Sequence, residues 1–235
     1  VFEYKYDVVE IVAQQNYSQE NFFAETHEVI TDFTKSDRVL KKLEENLGKQ
    51  GISQLMMVYF SERKDLERLI LSAVWHSIKH PKQNILQDFG NEDILEISKI
   101  CRSVSRERHR MLAFVRFELL QDEVYFAKIE PDFNVLPLIR KHFKERYADQ
   151  KWMIFDLKRH YGIFYDLKEV HFFTPDSSQL QNFRNSEQFH HEEEKKYQKL
   201  WQRYFVKTGI PERKNMKLHI QWVPKRYWKY LTEKY

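Results

Sequence analysis

The sequence contains little cysteine and little glycine, and it has no long run of apolar residues. Cys101 is the only cysteine, which excludes an internal disulfide and any cluster or zinc site built from several thiolates of this chain. The five glycines form no glycine-rich phosphate loop and no Gly-Asp-Pro-Gly-like catalytic loop. The sequence therefore argues against a P-loop or dinucleotide enzyme and against an independent glycosylase.

The composition is that of a folded, non-membrane protein. Hydrophobic residues make up 42% and aromatic residues 15% of the 235 positions, enough to bury a sizeable core. No apolar stretch reaches the roughly 18 residues needed to span a bilayer. The first residues, VFEYKYDVVEIVAQQ, carry acids early and lack the basic-then-apolar plan of a secretory signal. We expect a cytoplasmic protein.

The first half of the chain has the apolar spacing of helices. Residues 39–47 repeat apolar side chains every three to four positions, after a capping residue, Ser36, and before Gly48, which is suited to end a helix. The same analysis predicts two further helices and one short strand, at Leu66–Ile78, Ile94–Val104 and Gln54–Phe60, respectively. Cys101 falls on the apolar side of its helix, where a small core residue is expected.

After Arg110 the apolar period changes from helical to alternating. The pattern predicts strands at Leu112–Leu119, Val124–Ile129, Trp152–Asp156, Tyr161–Asp166 and Val170–Phe173. It predicts one helix, Leu136–Tyr147, which is opened by Asn134 and Pro137. Short links favour an α+β fold, with an antiparallel β-β-α-β-β sheet core flanked by N-terminal and C-terminal helices. We expect a single domain, 1–235, in which a helical lobe of about 1–110 packs on a sheet-containing lobe of about 111–235.

Charge is distributed unevenly along the chain. Residues 1–35 contain seven acids and two bases, whereas residues 201–235 contain nine bases and two acids, interleaved with tryptophan and tyrosine. Bases among aromatic residues suit phosphate contact combined with base stacking. The alternative is a solvated basic face over an aromatic core. The candidate nucleic-acid-binding residues are Arg116, Arg213, Lys214, Lys217, Lys225 and Arg226.

A second group of polar residues lies among strong core residues. Asp132, His142, Asp156 and Arg159 are candidate catalytic residues of a small hydrolase or nuclease, because polar groups so placed usually need a partner or a ligand. Structural roles are open for most of them. Asp132 or Asn134 is suited to cap the following helix, and Asp156 and Arg159 are suited to pair with each other. His142 lacks a histidine-rich metal spacing, so no metal site and no cofactor are expected.

Several short motifs follow one another between Glu107 and Glu233. They include His109-Arg110-Met111, Arg116-Phe117, Pro131-Asp132, His142-Phe143, Leu200-Trp201, Glu212-Arg213 and Arg226-Tyr227-Trp228. In order and density these motifs resemble the bacterial "probable DNA metabolism protein" family, an uncharacterised family. Two positions depart from the family pattern, because Ala113 and Phe155 stand where the family has glycine and histidine.

The resemblance implies a role in DNA repair or modification. Members of that family accompany a DNA-repair or DNA-modification radical S-adenosylmethionine (radical SAM) protein, or are fused to a uracil-DNA-glycosylase-like domain. The first hypothesis is an accessory protein that binds DNA or another nucleic acid and acts with a separate radical SAM enzyme. The alternatives are the small hydrolase or nuclease, and a protein-binding adaptor whose acidic N-terminal and basic C-terminal parts dock different partners.

Overall fold

The computed structural model describes residue 11, residues 27–81 and residues 83–234. Most of the acidic stretch 1–35 therefore lies outside the described residues. The chain divides into two compact units, Val1–Ser105 and Arg106–Tyr235, and the boundary falls within a helix. The packing of a helical lobe on a sheet lobe stays a prediction.

The first unit is helical. It contains α1 (Phe33–Tyr59), α2 (Leu66–Lys79), a 3-10 turn (Ile85–Gln87) and the start of α3 (Glu92–Phe114). The helices predicted over Leu66–Ile78 and Ile94–Val104 are thus confirmed. Cys101 is buried, as predicted for a core residue, and its thiol lies 3.4 Å from the Gln54 carbonyl oxygen.

Two predictions in this unit are wrong in detail. The predicted strand Gln54–Phe60 is helical as far as Tyr59, because Gly51, Leu55 and Val58 place one buried stripe at helical spacing along α1. The N-cap is Asp32, whose carboxylate accepts a hydrogen bond from the Lys35 N–H at 3.1 Å, whereas Ser36 lies within the first turn. Gly48 interrupts the helix with a φ of 67°, and the helix resumes after it.

The second unit contains the five-stranded sheet of the predicted α+β fold. Its elements are β1 (Glu118–Leu119), β2 (Tyr125–Ile129), α4 (Leu136–Arg146), β3 (Trp152–Asp156), β4 (Tyr161–Tyr165) and β5 (Val170–Phe173), and the strands lie in chain order. Leu136, Ile139 and Phe143 are the buried residues of α4. Gly162 in β4 lies under the Phe173 ring, where an added Cβ would be 2.4 Å from the ring carbon Cζ.

The sheet differs from the prediction in two ways. β2 and β3 are parallel, not antiparallel, because the chain crosses back through α4 between them. The strand predicted from Leu112 does not begin there, because α3 continues to Phe114. The apolar residues of this stretch also fit a helical period, which places Phe114 against Tyr227 at 5.2 Å between ring centroids. Val115 therefore lies outside the sheet.

The predicted C-terminal helices are present. They are α5 (Leu180–Arg184), α6 (Glu194–Thr208) and α7 (Met216–Trp222), and four 3-10 segments accompany them: Ser186–Phe189, Pro211–Arg213, Lys225–Tyr230 and Thr232–Lys234. Glu194 fixes the orientation of α6 about its own axis. Its side chain is buried and accepts a hydrogen bond from the Leu119 N–H at 2.7 Å. Gln202 adds a bond to the Thr232 carbonyl oxygen at 3.0 Å. One face of α6 is thus fixed against the unit.

Candidate functional site

The carboxyl ends of the parallel strands β2 and β3 meet at one edge of the sheet, and a polar group follows each strand. Asp156 ends β3 and is fully buried. Its carboxylate accepts hydrogen bonds from the N–H groups of Lys158 at 2.9 Å and Arg159 at 3.2 Å, and it forms an ion pair with the Arg159 guanidinium at 2.8 Å. The internal Asp156–Arg159 pair considered from sequence is therefore formed.

The turn after β3 is bonded to the loop after β2. The Arg159 guanidinium donates to the carbonyl oxygens of Pro131 at 3.2 Å and Asp132 at 3.1 Å. The Lys158 ammonium also donates to the Asp132 carbonyl oxygen, at 3.0 Å. These bonds satisfy loop carbonyls that secondary structure leaves unpaired, so Arg159 acts as a structural bridge between two loops.

Glu107 joins the same loop to the C-terminal 3-10 segment. Its side chain is 2% exposed and accepts hydrogen bonds from the Tyr227 hydroxyl at 2.6 Å, the Arg226 guanidinium at 2.8 Å and the Asp132 N–H at 3.0 Å. Arg226 also pairs with the Asp132 carboxylate. We call Glu107, Asp132, Asp156, Arg159, Arg226 and Tyr227 the strand-end cluster.

Protonation follows from this geometry. Burial, and then the hydrogen bond to Glu107, raises the pKa of Tyr227 to about 12, so the hydroxyl stays a donor. Burial lowers the pKa of Arg226, but the Tyr227 hydroxyl and the Glu107 and Asp132 charges outweigh burial and raise it. The charged groups of the strand-end cluster are thus engaged with one another. This arrangement is typical of an anchor between chain segments.

Neither of the proposed caps begins α4. The N-cap residue is Val135, which has no side-chain capping bond. The Asn134 side-chain oxygen instead accepts a hydrogen bond from the Tyr161 hydroxyl. Asp132 is engaged by Arg226, as described above.

The structure brings three of the four candidate catalytic residues together. Asp132, Asp156 and Arg159 belong to the strand-end cluster, whereas His142 is exposed on α4, with its ring against Phe143. Among the described residues, no hydrogen bond or ion pair connects His142 to the cluster, and no group of three or more His, Cys, Asp or Glu side chains is placed to hold a metal ion. The geometry favours structural pairing over acid–base chemistry here.

Arg116 lies in a separate cluster near the C-terminus. Its guanidinium forms two bonds with the Glu233 carboxylate, at 2.7 and 3.2 Å, and the Trp201 indole N–H donates to the same carboxylate at 2.9 Å. Burial raises the pKa of Glu233, but the bonds from Arg116 and Trp201 outweigh burial and lower it. Arg116 therefore acts as the partner of an acid rather than as an open phosphate receptor.

The remaining predicted nucleic-acid-binding residues are placed differently from Arg116 and Arg226. Arg213, Lys214 and Lys217 are exposed on and beside α7, and within residues 83–234 no acidic side chain forms an ion pair with them. Lys225 lies over the Trp228 ring at 5.9 Å. Trp222, at the end of α7, is 69% exposed. Four of the six predicted bases therefore lie at positions where a phosphate can be contacted.

A row of bases on α6 was missed by the sequence analysis. Its members are Lys195, Lys199, Arg203 and Lys207, all exposed and, in the described part of the chain, without an ion-paired acid. Their spacing of four residues on an amphipathic helix is the signal that would have revealed the row. Together with Arg213, Lys214, Lys217 and Trp222, this row and the aromatic residues beside it form what we call the α6–α7 surface.

Exposed apolar side chains lie beside the α6 bases. Tyr197 is 48%, Leu200 51% and Tyr204 60% exposed. α6 and α7 are linked through Lys234, whose ammonium lies 2.8 Å from a ring nitrogen of His219 in α7 and 5.0 Å from the Phe205 ring centroid in α6. The surface thus combines positive charge with solvent-exposed rings.

The class of protein is set by comparison with known families. A family model described as a domain of unknown function, DUF4130, matches residues 62–233. The chain belongs to this family, which is uncharacterised. No curated protein and no solved structure matches the chain. None of the helices in the described ranges is both long enough and apolar enough to cross a membrane.

Proposed function

We propose that this protein binds nucleic acid through the α6–α7 surface. The observation that carries the proposal is a set of bases without ion-paired acids, within the described residues, beside exposed aromatic rings. Lysine and arginine supply affinity for phosphates by releasing counterions, and exposed rings offer stacking surfaces for bases. The binding is expected to tolerate many sequences, because phosphate contacts position a protein without specifying bases.

The biological setting of the proposal comes from the family resemblance. The motifs between Glu107 and Glu233 resemble those of proteins that accompany a radical SAM protein of DNA repair or modification. The proposed role is that of an accessory protein in the cytoplasm, which binds DNA or another nucleic acid and presents it to a separate radical SAM enzyme. The engaged charges of the strand-end cluster give a separate hydrolase or nuclease activity less support.

The test is a salt-dependent binding assay with a charge-reversal variant. Lys199→Glu combined with Arg203→Glu should weaken binding to labelled DNA and RNA of many sequences by a similar factor. The slope of log affinity against log salt should fall by about 0.7 to 0.9 for each phosphate contact removed. The matched control is Lys41→Glu with Lys49→Glu, which makes the same change in net charge at exposed positions of α1.

Thermal melting must show that both variants remain folded. If the folded α6 variant binds with the parent's affinity and salt slope, the proposal fails and the adaptor hypothesis becomes the better one. If the α1 control weakens binding equally, the effect is one of net charge, and the α6–α7 surface is not the site.

A further inference from the structure

The exposed side of α6 carries two adjacent stripes of different chemistry. At 3.6 residues per turn, the four bases of the row advance about 6 Å along the axis and about 40° around it at each step. Tyr197, Leu200 and Tyr204 occupy the neighbouring arc of the same helix by the same geometry. A nucleic acid lying along the bases therefore has an apolar, largely aromatic stripe immediately beside it.

The two glutamine side chains of α6 are bonded to the protein. Gln202 donates to the Thr232 carbonyl oxygen at 3.0 Å, and Gln198 donates to the buried Glu194 carboxylate at 3.0 Å. Glutamine amides are among the groups that recognise bases in the major groove of a duplex. With both amides engaged by the protein, α6 offers a duplex its lysines and Arg203 but neither of its glutamines.

Tyr204 is held on a fixed aromatic support. Its ring stacks on the Trp201 ring, with centroids 5.7 Å apart and an angle of 28° between the planes. Trp201 is itself anchored, because its N–H donates to Glu233 at 2.9 Å and the Arg116 guanidinium lies 5.7 Å from its ring centroid. The ion pair between Arg116 and Glu233 therefore orients the tryptophan that supports Tyr204.

We infer that the ligand of this surface is a single-stranded nucleic acid, bound by phosphate contacts to the α6 bases and by a base stacked on Tyr204. The inference rests on the proposed function and adds its substrate class. Bases in a duplex are already stacked on one another, so an exposed ring gains little from them, whereas every base of a single strand offers a π-face. Stacking a base on Tyr204 costs little conformational entropy, because Trp201 already holds the tyrosine ring in place.

A lipid surface is the competing occupant, because a helix in a membrane interface also combines bases on one face with apolar residues on the other. The exposed apolar side chains of α6 extend beyond the stripe to Trp201 at 40%, Phe205 at 38% and Val206 at 73%. A nucleic acid is favoured because Trp201 is already bonded to Glu233 and stacked on Tyr204, so it is not free to insert among acyl chains. Tyr204, which is 60% exposed beside the bases, suits a stacked base next to a phosphate backbone.

The experiment measures fluorescence anisotropy with labelled single-stranded dT20, single-stranded rU20 and a 20-base-pair DNA duplex. The full chain should bind the single strands more tightly than the duplex. Tyr204→Ala should weaken single-strand binding about tenfold, leave duplex binding unchanged and leave the salt slope unchanged, since stacking releases no counterions. Tyr204→Phe keeps the ring and should bind as the parent does. Tyr59→Ala, at a residue 57% exposed on α1, is the matched control and should have no effect.

The outcomes separate the two proposals. Duplex binding as tight as single-strand binding, or a folded Tyr204→Ala variant that binds dT20 and rU20 as the parent does, overturns the single-strand inference and leaves the proposed function standing. No binding to any of the three probes overturns both. In a parallel sedimentation assay with vesicles containing phosphatidylserine, binding to the vesicles but to none of the three probes also overturns both and identifies the surface as a lipid contact. A preference between dT20 and rU20 identifies the source of the strand and supports the inference in either case.

Discussion

Replacing Glu107 by alanine should strongly destabilise the second unit. The buried carboxylate accepts bonds from the Tyr227 hydroxyl at 2.6 Å and the Asp132 N–H at 3.0 Å, and both donors lose their partner in the variant. Each hydrogen bond to a charged group is worth about 1.5–3 kcal/mol. The third donor, Arg226, is 41% exposed, so its share is discounted to about 0.5 kcal/mol for solvent screening. The expected loss of unfolding free energy is about 3.5–6.5 kcal/mol.

The assay is urea unfolding followed by circular dichroism, analysed by linear extrapolation. Arg226→Ala should cost about 2–3 kcal/mol, because it leaves the Glu107 charge buried with two hydrogen-bond donors but without its closest cation. The double variant should be less destabilised than the sum of the two, since the residues share one bond. Arg213→Ala, an exposed arginine nearby in sequence, is the control and should change stability by less than about 0.5 kcal/mol.

The reasoning is refuted if Glu107→Ala remains within about 0.5 kcal/mol of the parent, the range typical of surface substitutions. It is also refuted if Arg226→Ala costs no more stability than Arg213→Ala but abolishes nucleic-acid binding. That result would make Arg226 a phosphate contact and not an anchor of the C-terminal segment.

Three further predictions concern packing and protonation. Gly162→Ala should cost about 1–3 kcal/mol in urea unfolding, because its Cβ would lie 2.4 Å from the Phe173 ring and 2.9 Å from the Ile154 carbonyl oxygen; parent-like stability would contradict this packing. Cys101 should react slowly with iodoacetamide at pH 8, since burial raises its pKa to about 11, and labelling at the rate of an unfolded control would count against its burial. Glu233 has a lowered pKa, so its contribution to stability is present above its ordinary value of 4.5 and is lost as pH falls below that value. Glu233→Gln should therefore be less stable than the parent at pH 7 and closer to it at pH 3; an equal difference at both pH values would refute the shift.

Local pattern was enough to place several elements. The strands Trp152–Asp156 and Val170–Phe173 were predicted at their observed bounds, because each is a short, mostly apolar run rich in aromatic or β-branched residues. The buried position of Cys101 followed from the same kind of pattern. The apolar run before Phe114 fits both a helical and an alternating period. There the sequence pattern predicted a strand, whereas the structure has a helix.

The sequence alone determined the position of most elements and of many buried residues, because buried residues recur at the spacing of a helix or a strand. Only the tertiary structure decided how charges were paired. Arg226 pairs with Glu107, 119 positions away in sequence, and Arg116 pairs with Glu233, 117 positions away. No local spacing in the sequence predicts either pair. The direction of β3 beside β2 was likewise set by the crossover through α4. Pairing of distant groups depends on the path of the backbone through space, and that path separated the anchoring arginines from the exposed bases of the α6–α7 surface.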